Sequence, residues 1–296
     1  MIQVVADGVV AASFIVLGVV GLSMIYNILS FPSFAQGDHI ATGAYIALGI
    51  VALAGTAGSI AGLSFGWPLI GALICATILN GLLALLIDRS IYRQLRLRNA
   101  SRISLIMASF GVALMLRNLI VLFAGHDPQY YAFAIQPALS IGGARITPND
   151  LLAVIVTTVM VVALHLFLSR TTLGKSMRAV SENPSLARVN GIDVDRVIRW
   201  TWLIGAGLAA IAGVLLGLSV QVNPSMGFEL LLPMFAAMIV GGVTSVYGAV
   251  LGALLIGIAE AVTVQYIAPE YRQAVAFLVV ILVLLARPQG ILGEKP

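Results

Sequence analysis

The chain has 296 residues, of which 60% are hydrophobic and only 9% charged, with a formal net charge of +4. Soluble domains carry roughly 25% charged residues, so this composition excludes a soluble enzyme and requires a polytopic membrane protein. The apolar runs are continuous rather than alternating, which excludes a barrel. Backbone polar groups must therefore be satisfied inside helices, and the fold class is all-α.

In chain order, about eight apolar segments emerge: 9 to 29, 31 to 57, 67 to 87, 103 to 124, 151 to 168, 201 to 220, 230 to 259 and 274 to 286. Most approach the roughly 20 residues that a helix needs to cross the hydrocarbon core. They form one transmembrane domain over 1 to 296. Met1 to Gly8 has no Lys or Arg to orient it and lacks the basic start and cleavage site of a removed signal peptide, so the first span is expected to be retained.

Segment 31 to 57 is interrupted by Pro32, Gly37 and the polar run Gln36, Asp38, His39. An ionisable residue at membrane depth is a functional candidate by default. These three residues either line a path or sit where water satisfies them. Cys75 is the sole cysteine and lies inside a span, so no disulfide framework, thiolate cluster or metal site is expected. Asn27 and Asn80 read as inter-helix hydrogen bonds or outer-surface residues rather than substrate ligands. Arg117 lies only about 10 Å of helix rise from the outer end of its span, and is expected to snorkel to the headgroups.

Arg89, Arg93, Arg96, Arg98 and Arg102 crowd one loop, and Arg170, Lys175, Arg178, Arg188, Arg196 and Arg199 another, eleven of the sixteen strong bases. Both loops are cytoplasmic by the positive-inside rule. No aromatic or glycine-rich RNA motif accompanies the arginines, so no nucleic acid is implied, and the surrounding partner is membrane lipid. Gly125 to Asp150 is then the outer loop. His165 reads as interfacial.

The second basic loop, 170 to 200, is the longest polar stretch. Asn183 before Pro184 reads as an N-cap with proline at the first helical position, and Asn190-Gly191 as a left-handed stop. Ser185, Leu186, Ala187, Arg188 and Val189 between them form a short helix. Such a helix suits either a soluble partner that pushes on the membrane domain or an ordinary solvated loop. Gly174-Lys175-Ser176 echoes a phosphate loop, but Ser169 stands where that motif needs glycine, and no strand precedes it.

Beyond the loop, Gly205, Ala209, Gly213 and Gly217 recur every four residues, a small-residue stripe for close helix packing. Gln221, Asn223 and Glu229 read as outer-surface or inter-helix groups. Segment 230 to 259 is too long for one span. Parity between the cytoplasmic Arg199 and Arg287 makes it a hairpin or broken helix turning at Gly241, Gly242 and Gly248, with Gln221 to Leu232 and Glu260 to Arg272 outside. Each half of the chain then carries one interrupted or re-entrant element, and paired interruptions point to a translocation path. The candidates for that path are Gln36, Asp38, His39, Gly241 and Gly242. No Ser/His/Asp or Cys/His arrangement suggests catalysis.

Three stretches, LSFPSFAQGDHIATGAYIA at Leu29 to Ala47, RAVSENPSLARVNGIDVDRVIRWTWLIGAGLAAIAGVLLG at Arg178 to Gly217 and FAAMIVGGVTSVYGAVLGALLIG at Phe235 to Gly257, closely resemble the LivH family of branched-chain amino acid ABC importer permeases. The similarity runs over essentially the whole chain. It implies a non-catalytic subunit of the cytoplasmic membrane that works with a second permease, two ATP-binding subunits and a periplasmic solute-binding protein. It implies no cofactor on this chain, ATP and magnesium being held by the ATPase partners. Glu182 to Gly191 would be the coupling helix that docks on an ATPase, although it does not match the EAA motif of other importers. Glu229, if outside, would face the binding protein. Related urea or amide importers are the nearest alternative; an ion-coupled carrier would need a mid-span carboxylate, for which only Asp38 and Glu260 qualify.

Overall fold

The computed structural model describes residues 1–55, 66–131, 137–141 and 143–293. Positions 56 and 57 of the expected second segment, and part of the outer loop, lie outside them. Among the described residues, eight helices are long and apolar enough to span a membrane, and a ninth, of 16 residues, is shorter.

Helix α1 (Ile2–Leu29) has no charge beyond Asp7 and is apolar on every face. A helix apolar all round belongs in a core, and α1 lies at the centre with α9 (Val194–Ser219), whose small residues admit neighbours on several sides. Around them stand α2 (Ala35–Ala54), α3 (Trp67–Ile87), α5 (Arg102–Ala124), α6 (Pro148–Arg170), α10 (Met226–Gly241), α11 (Val246–Tyr266) and α12 (Arg272–Ala286). The outer helices turn Ile70, Leu82, Leu119, Val159 and Leu285 to the surface that lipid covers. Caps fix the ends: the hydroxyls of Ser101, Thr147 and Ser245 and the carboxylate of Asp193 accept from backbone N–H groups of α5, α6, α11 and α9. Helix α3 runs through one π-helical turn (Asp88–Tyr92) into α4 (Arg93–Leu97), and that turn aims Tyr92 inward to stack on Trp202, centroids 4.9 Å apart.

The two ends of the bundle are chemically distinct. At one end Arg102, Arg178, Glu182, Asn27 and Thr244 surround a common cleft, and Asn27 donates to the Thr244 carbonyl. Both arginine-rich loops thus share one face, as cytoplasmic loops must. At the other end Gln3 exchanges hydrogen bonds with the backbone of Arg145. Arg145 belongs to the hairpin of β1 (Leu139–Ile141) and β2 (Ala144–Ile146), which pair antiparallel. The N-terminus, unoriented by its own charges, is therefore outside.

The interruptions are present but not where the sequence suggested. The first break is the bend Ser30 to Phe34, with Ser30 at φ 58°, and Gln36, Gly37, Asp38 and His39 all lie within the first turns of α2. Gly37 is needed for close approach to Gly227 rather than for a turn. The second break precedes α10, at 220 to 225, so Met226 to Leu232 are helical and not part of the outer loop. The hairpin between α10 and α11 turns at Gly242, φ 108°, whereas Gly248 sits in the first turn of α11 with its backbone against Gly241.

Helix α2 starts deep. Phe34 N–H donates to Ser109 Oγ on α5, and the Gln36 amide reaches Gly205 near the middle of α9. Helix α10 starts at the same depth, with Gly227 packed on Gly37. From this meeting point α2 runs outward and α10 inward. Pro-Ser precedes each start, at Pro32-Ser33 and Pro224-Ser225.

Candidate functional site

Two places in this scaffold combine exposure or charge with fixed geometry. The first is the cytoplasmic loop. Helix α7 (Thr172–Glu182) buries Gly174, Met177 and Val180, and Arg178 Nη2 ties it back to the Leu168 carbonyl at 3.0 Å. Gly174 abuts the backbone of Leu168, which leaves no room for a side chain. Its N–H is taken by the Thr171 hydroxyl, so the Gly-Lys-Ser run is a packed helix start.

Helix α8 (Pro184–Val189) follows. Asn183 Oδ1 accepts from Ser185 N and Leu186 N, both at 3.0 Å, and Gly191 at φ 80° ends the motif. Leu186 and Val189 are 59% and 86% exposed, while Ala187 is only 3% exposed. Among the described residues, nothing covers these apolar side chains on a cytoplasmic helix outside the bilayer. Glu182, Pro184, Ser185, Arg188 and Asn190 surround them at the surface. Ala187 faces the protein.

The second place is the polar centre where α2 and α10 begin. Gln36, Asp38 and His39 are at most 1% exposed. Asn80 on α3 donates to the carbonyls of His39 and Ala206, at 3.1 and 2.7 Å, and its Oδ1 accepts from His39 Nδ1 at 3.0 Å. One amide thereby joins α2, α3 and α9. Asp38 is paired with Arg117 of α5 through a two-point fork, Nε to Oδ1 at 3.1 Å and Nη2 to Oδ2 at 3.2 Å. Arg117 also lies 4.6 Å from the Phe228 ring.

Arg117 therefore does not snorkel: it turns inward to a carboxylate, which corrects the expectation from its position in the span. An arginine within a span costs about 2.5–3.5 kcal/mol on insertion scales, and Asp38 offsets that cost. Glu260 is likewise buried and bonded to Arg272, at 2.6 Å. His165 meets the Tyr247 hydroxyl at 2.9 Å on the cytoplasmic half of α6, and Glu229, in the first turn of α10, accepts from Ser225 Oγ at 2.9 Å.

The remaining candidates sit at close contacts within the bundle. Gly205 abuts Ile25 and Gly21 of α1, Gly213 the backbone of Ile40 and Ala44 of α2, and Gly217 Val222 and Tyr131, with Ala209 buried between them. Tyr131 donates to the Ala44 carbonyl, and burial pushes its phenol well above the ordinary range. Gly241 and Gly242 lie under the C-terminal tail, where Leu292 N–H donates to the Gly241 carbonyl. The sequence offered one signal for the Asp38–Arg117 pair, an acid and a base each falling within an apolar segment.

Comparison with known proteins covers the whole bundle. A family model described as the permease component of the branched-chain amino acid transport system matches residues 4–284. The Escherichia coli K12 high-affinity branched-chain amino acid transport system permease protein LivH is 34% identical over 300 residues, covering 99% of this chain and 96% of that one. The Pseudomonas aeruginosa BraD permease is 33% identical over 302 residues, again with 99% and 96% covered. Among solved structures, PsaBC from Streptococcus pneumoniae in complex with Fab aligns with a TM-score of 0.52 at 16% identity, covering 97% of this chain and 91% of that one, a likeness of fold. The chain is a multi-pass membrane protein that belongs to the branched-chain amino acid transport system permease family.

Proposed function

We infer that the chain is the permease subunit of an ATP-binding cassette importer that moves branched-chain, aliphatic amino acids across the cytoplasmic membrane. The observation that carries this reading is full-length similarity to LivH and BraD, both branched-chain amino acid permeases by name. The exposed Leu186 and Val189 on the capped helix α8 support it, because an apolar pair on a cytoplasmic face suits a groove on an ATPase subunit. In this reading α8, with Glu182 to Gly191, is the coupling helix. Two ATP-binding subunits hold ATP and magnesium, this chain holds no cofactor, a second permease completes the path, and a periplasmic solute-binding protein delivers the amino acid.

Force enters at α8 and passes through α7, whose buried Met177 and Val180 pack on the bundle, to the base of α1 and α11. The discontinuous α2 and α10 are the elements that such a push can shift, since neither is tied along a full span. Their starts meet at the Gly37 and Gly227 backbones. The test is leucine uptake into proteoliposomes holding the purified transporter and its binding protein. Uptake should require ATP and be competed by isoleucine and valine. Uptake driven by a proton or sodium gradient without ATP would overturn the reading, and competition by urea or short amides instead would reassign the substrate.

A further inference from the structure

We propose that Arg117 is a carboxylate-binding residue of the permease, receiving the α-carboxylate of the transported amino acid from an outer cleft while Asp38 holds its guanidinium in place. The proposal rests on the import reading above and names a site within it. Four observations converge on Arg117.

The residue is buried on one side and open on the other: its side chain is 22% exposed whereas Asp38 is 1% exposed. A cleft of about 310 Å³ opens beside it, lined also by Val121, His126, Asn223 and Ser225. Ligand clefts run from roughly 300 to 1,000 Å³, so this one suits a small molecule. Asp38 occupies Nε and Nη2, and among the described residues Nη1 makes no hydrogen bond. Guanidinium has more N–H donors than one carboxylate can accept, so a second carboxylate can share it without displacing the first.

The third observation is the apolar surround. Val121, Pro128 and Pro224 line the cleft, which gives an aliphatic side chain something to pack on, and Phe228 lies against the guanidinium. The fourth is position. Arg117 stands over the starts of both discontinuous helices, with Asp38 in the first turn of α2 and Phe228 in that of α10. The positive end of a helix dipole favours an anion at such starts, and a carboxylate held on Arg117 would lie beside the two elements that must move.

The experiment uses the full chain in nanodiscs, with whatever subunits accompany it, and needs no ATP. Cysteine replaces Ser225 on a Cys75→Ser background, and its reaction with N-ethylmaleimide reports occupancy of the cleft. L-Leucine and 4-methylpentanoate, at about ten times their half-protecting concentrations, should each slow labelling about tenfold. 3-Methylbutylamine, which has the same side chain but no carboxylate, should not. Arg117→Lys should weaken the protection, and Asp38→Asn with Arg117→Gln, which leaves no orphan charge, should abolish it while the protein still elutes as a folded species. Protection that persists in the neutral pair, equal protection by the amine, or none by leucine in the parent protein would each overturn the proposal. Loss of ATP-dependent uptake with protection intact would instead count against the import reading alone.

Discussion

Glu260 illustrates at the residue scale what charge inside this bundle requires. Its side chain is 1% exposed, and Arg272, 45% exposed, supplies the cation at 2.6 Å. Breaking a buried pair costs roughly 3–5 kcal/mol because the remaining charge is orphaned, and the partial exposure of Arg272 places this case at or below the low end. Arg272→Ala should therefore lower stability in detergent by about 2–3 kcal/mol, with Glu260→Gln added to it restoring most of the loss. A thermal melt in which the single variant matched the parent would show that Glu260 has another partner. Gly37 makes a different demand. A side chain there meets the backbone of Gly227, so Gly37→Ala should cost about 1–3 kcal/mol by overpacking. Gly49, on the same helix with open space around it, provides the control; Gly49→Ala should stay within about 0.5 kcal/mol.

These residues also show where reading the sequence reaches its limit. Arg117 near the end of an apolar run has the pattern of a snorkelling base, and its partner Asp38 is 79 positions away. No local rule connects the two. Gly37 carries the same letter as a turn glycine, and only the approach of α10 distinguishes the roles. The cap at Asn183 and the stop at Gly191 were legible because capping is settled within four or five neighbouring residues.

At the scale of elements, continuous apolar runs located the spans because the bilayer leaves a helix no alternative. The starts of α2 and α10 were harder to place, since a helix that begins inside the membrane is set by what it meets there. Helix α8 yields a prediction at this scale. Leu186→Asp with Val189→Asp should cut ATP-driven uptake at least about tenfold, equivalent to losing 1.4 kcal/mol or more of coupling, while membrane insertion and yield stay unchanged. Ala187→Asp should instead reduce yield, because that position is buried against the protein. Normal uptake in the double variant would remove α8 from the docking surface.

For the whole molecule, the arginine-rich loops orient the bundle and the contacts of Gln3 with Arg145 place the N-terminus outside. On a Cys75→Ser background, cysteine at Ile2 should react with a membrane-impermeant thiol reagent in intact cells, and cysteine at Glu182 only after lysis. The reverse pattern would invert the topology and remove the 170–200 loop from the cytoplasm. With that orientation α8 and the hairpin turn at Gly242 share the cytoplasmic face, and the cleft beside Arg117 opens outward. In the proposed reading, this arrangement puts the energy input at one end and the substrate entry at the other.

The most direct test of that account is to purify the tagged chain from its native membranes in mild detergent and identify what accompanies it. Two ATP-binding polypeptides and a second permease should co-purify, and the Leu186→Asp, Val189→Asp variant should retain the permease and lose the ATPases. A chain recovered alone or as a homo-oligomer, transporting leucine in vesicles without ATP, would contradict it.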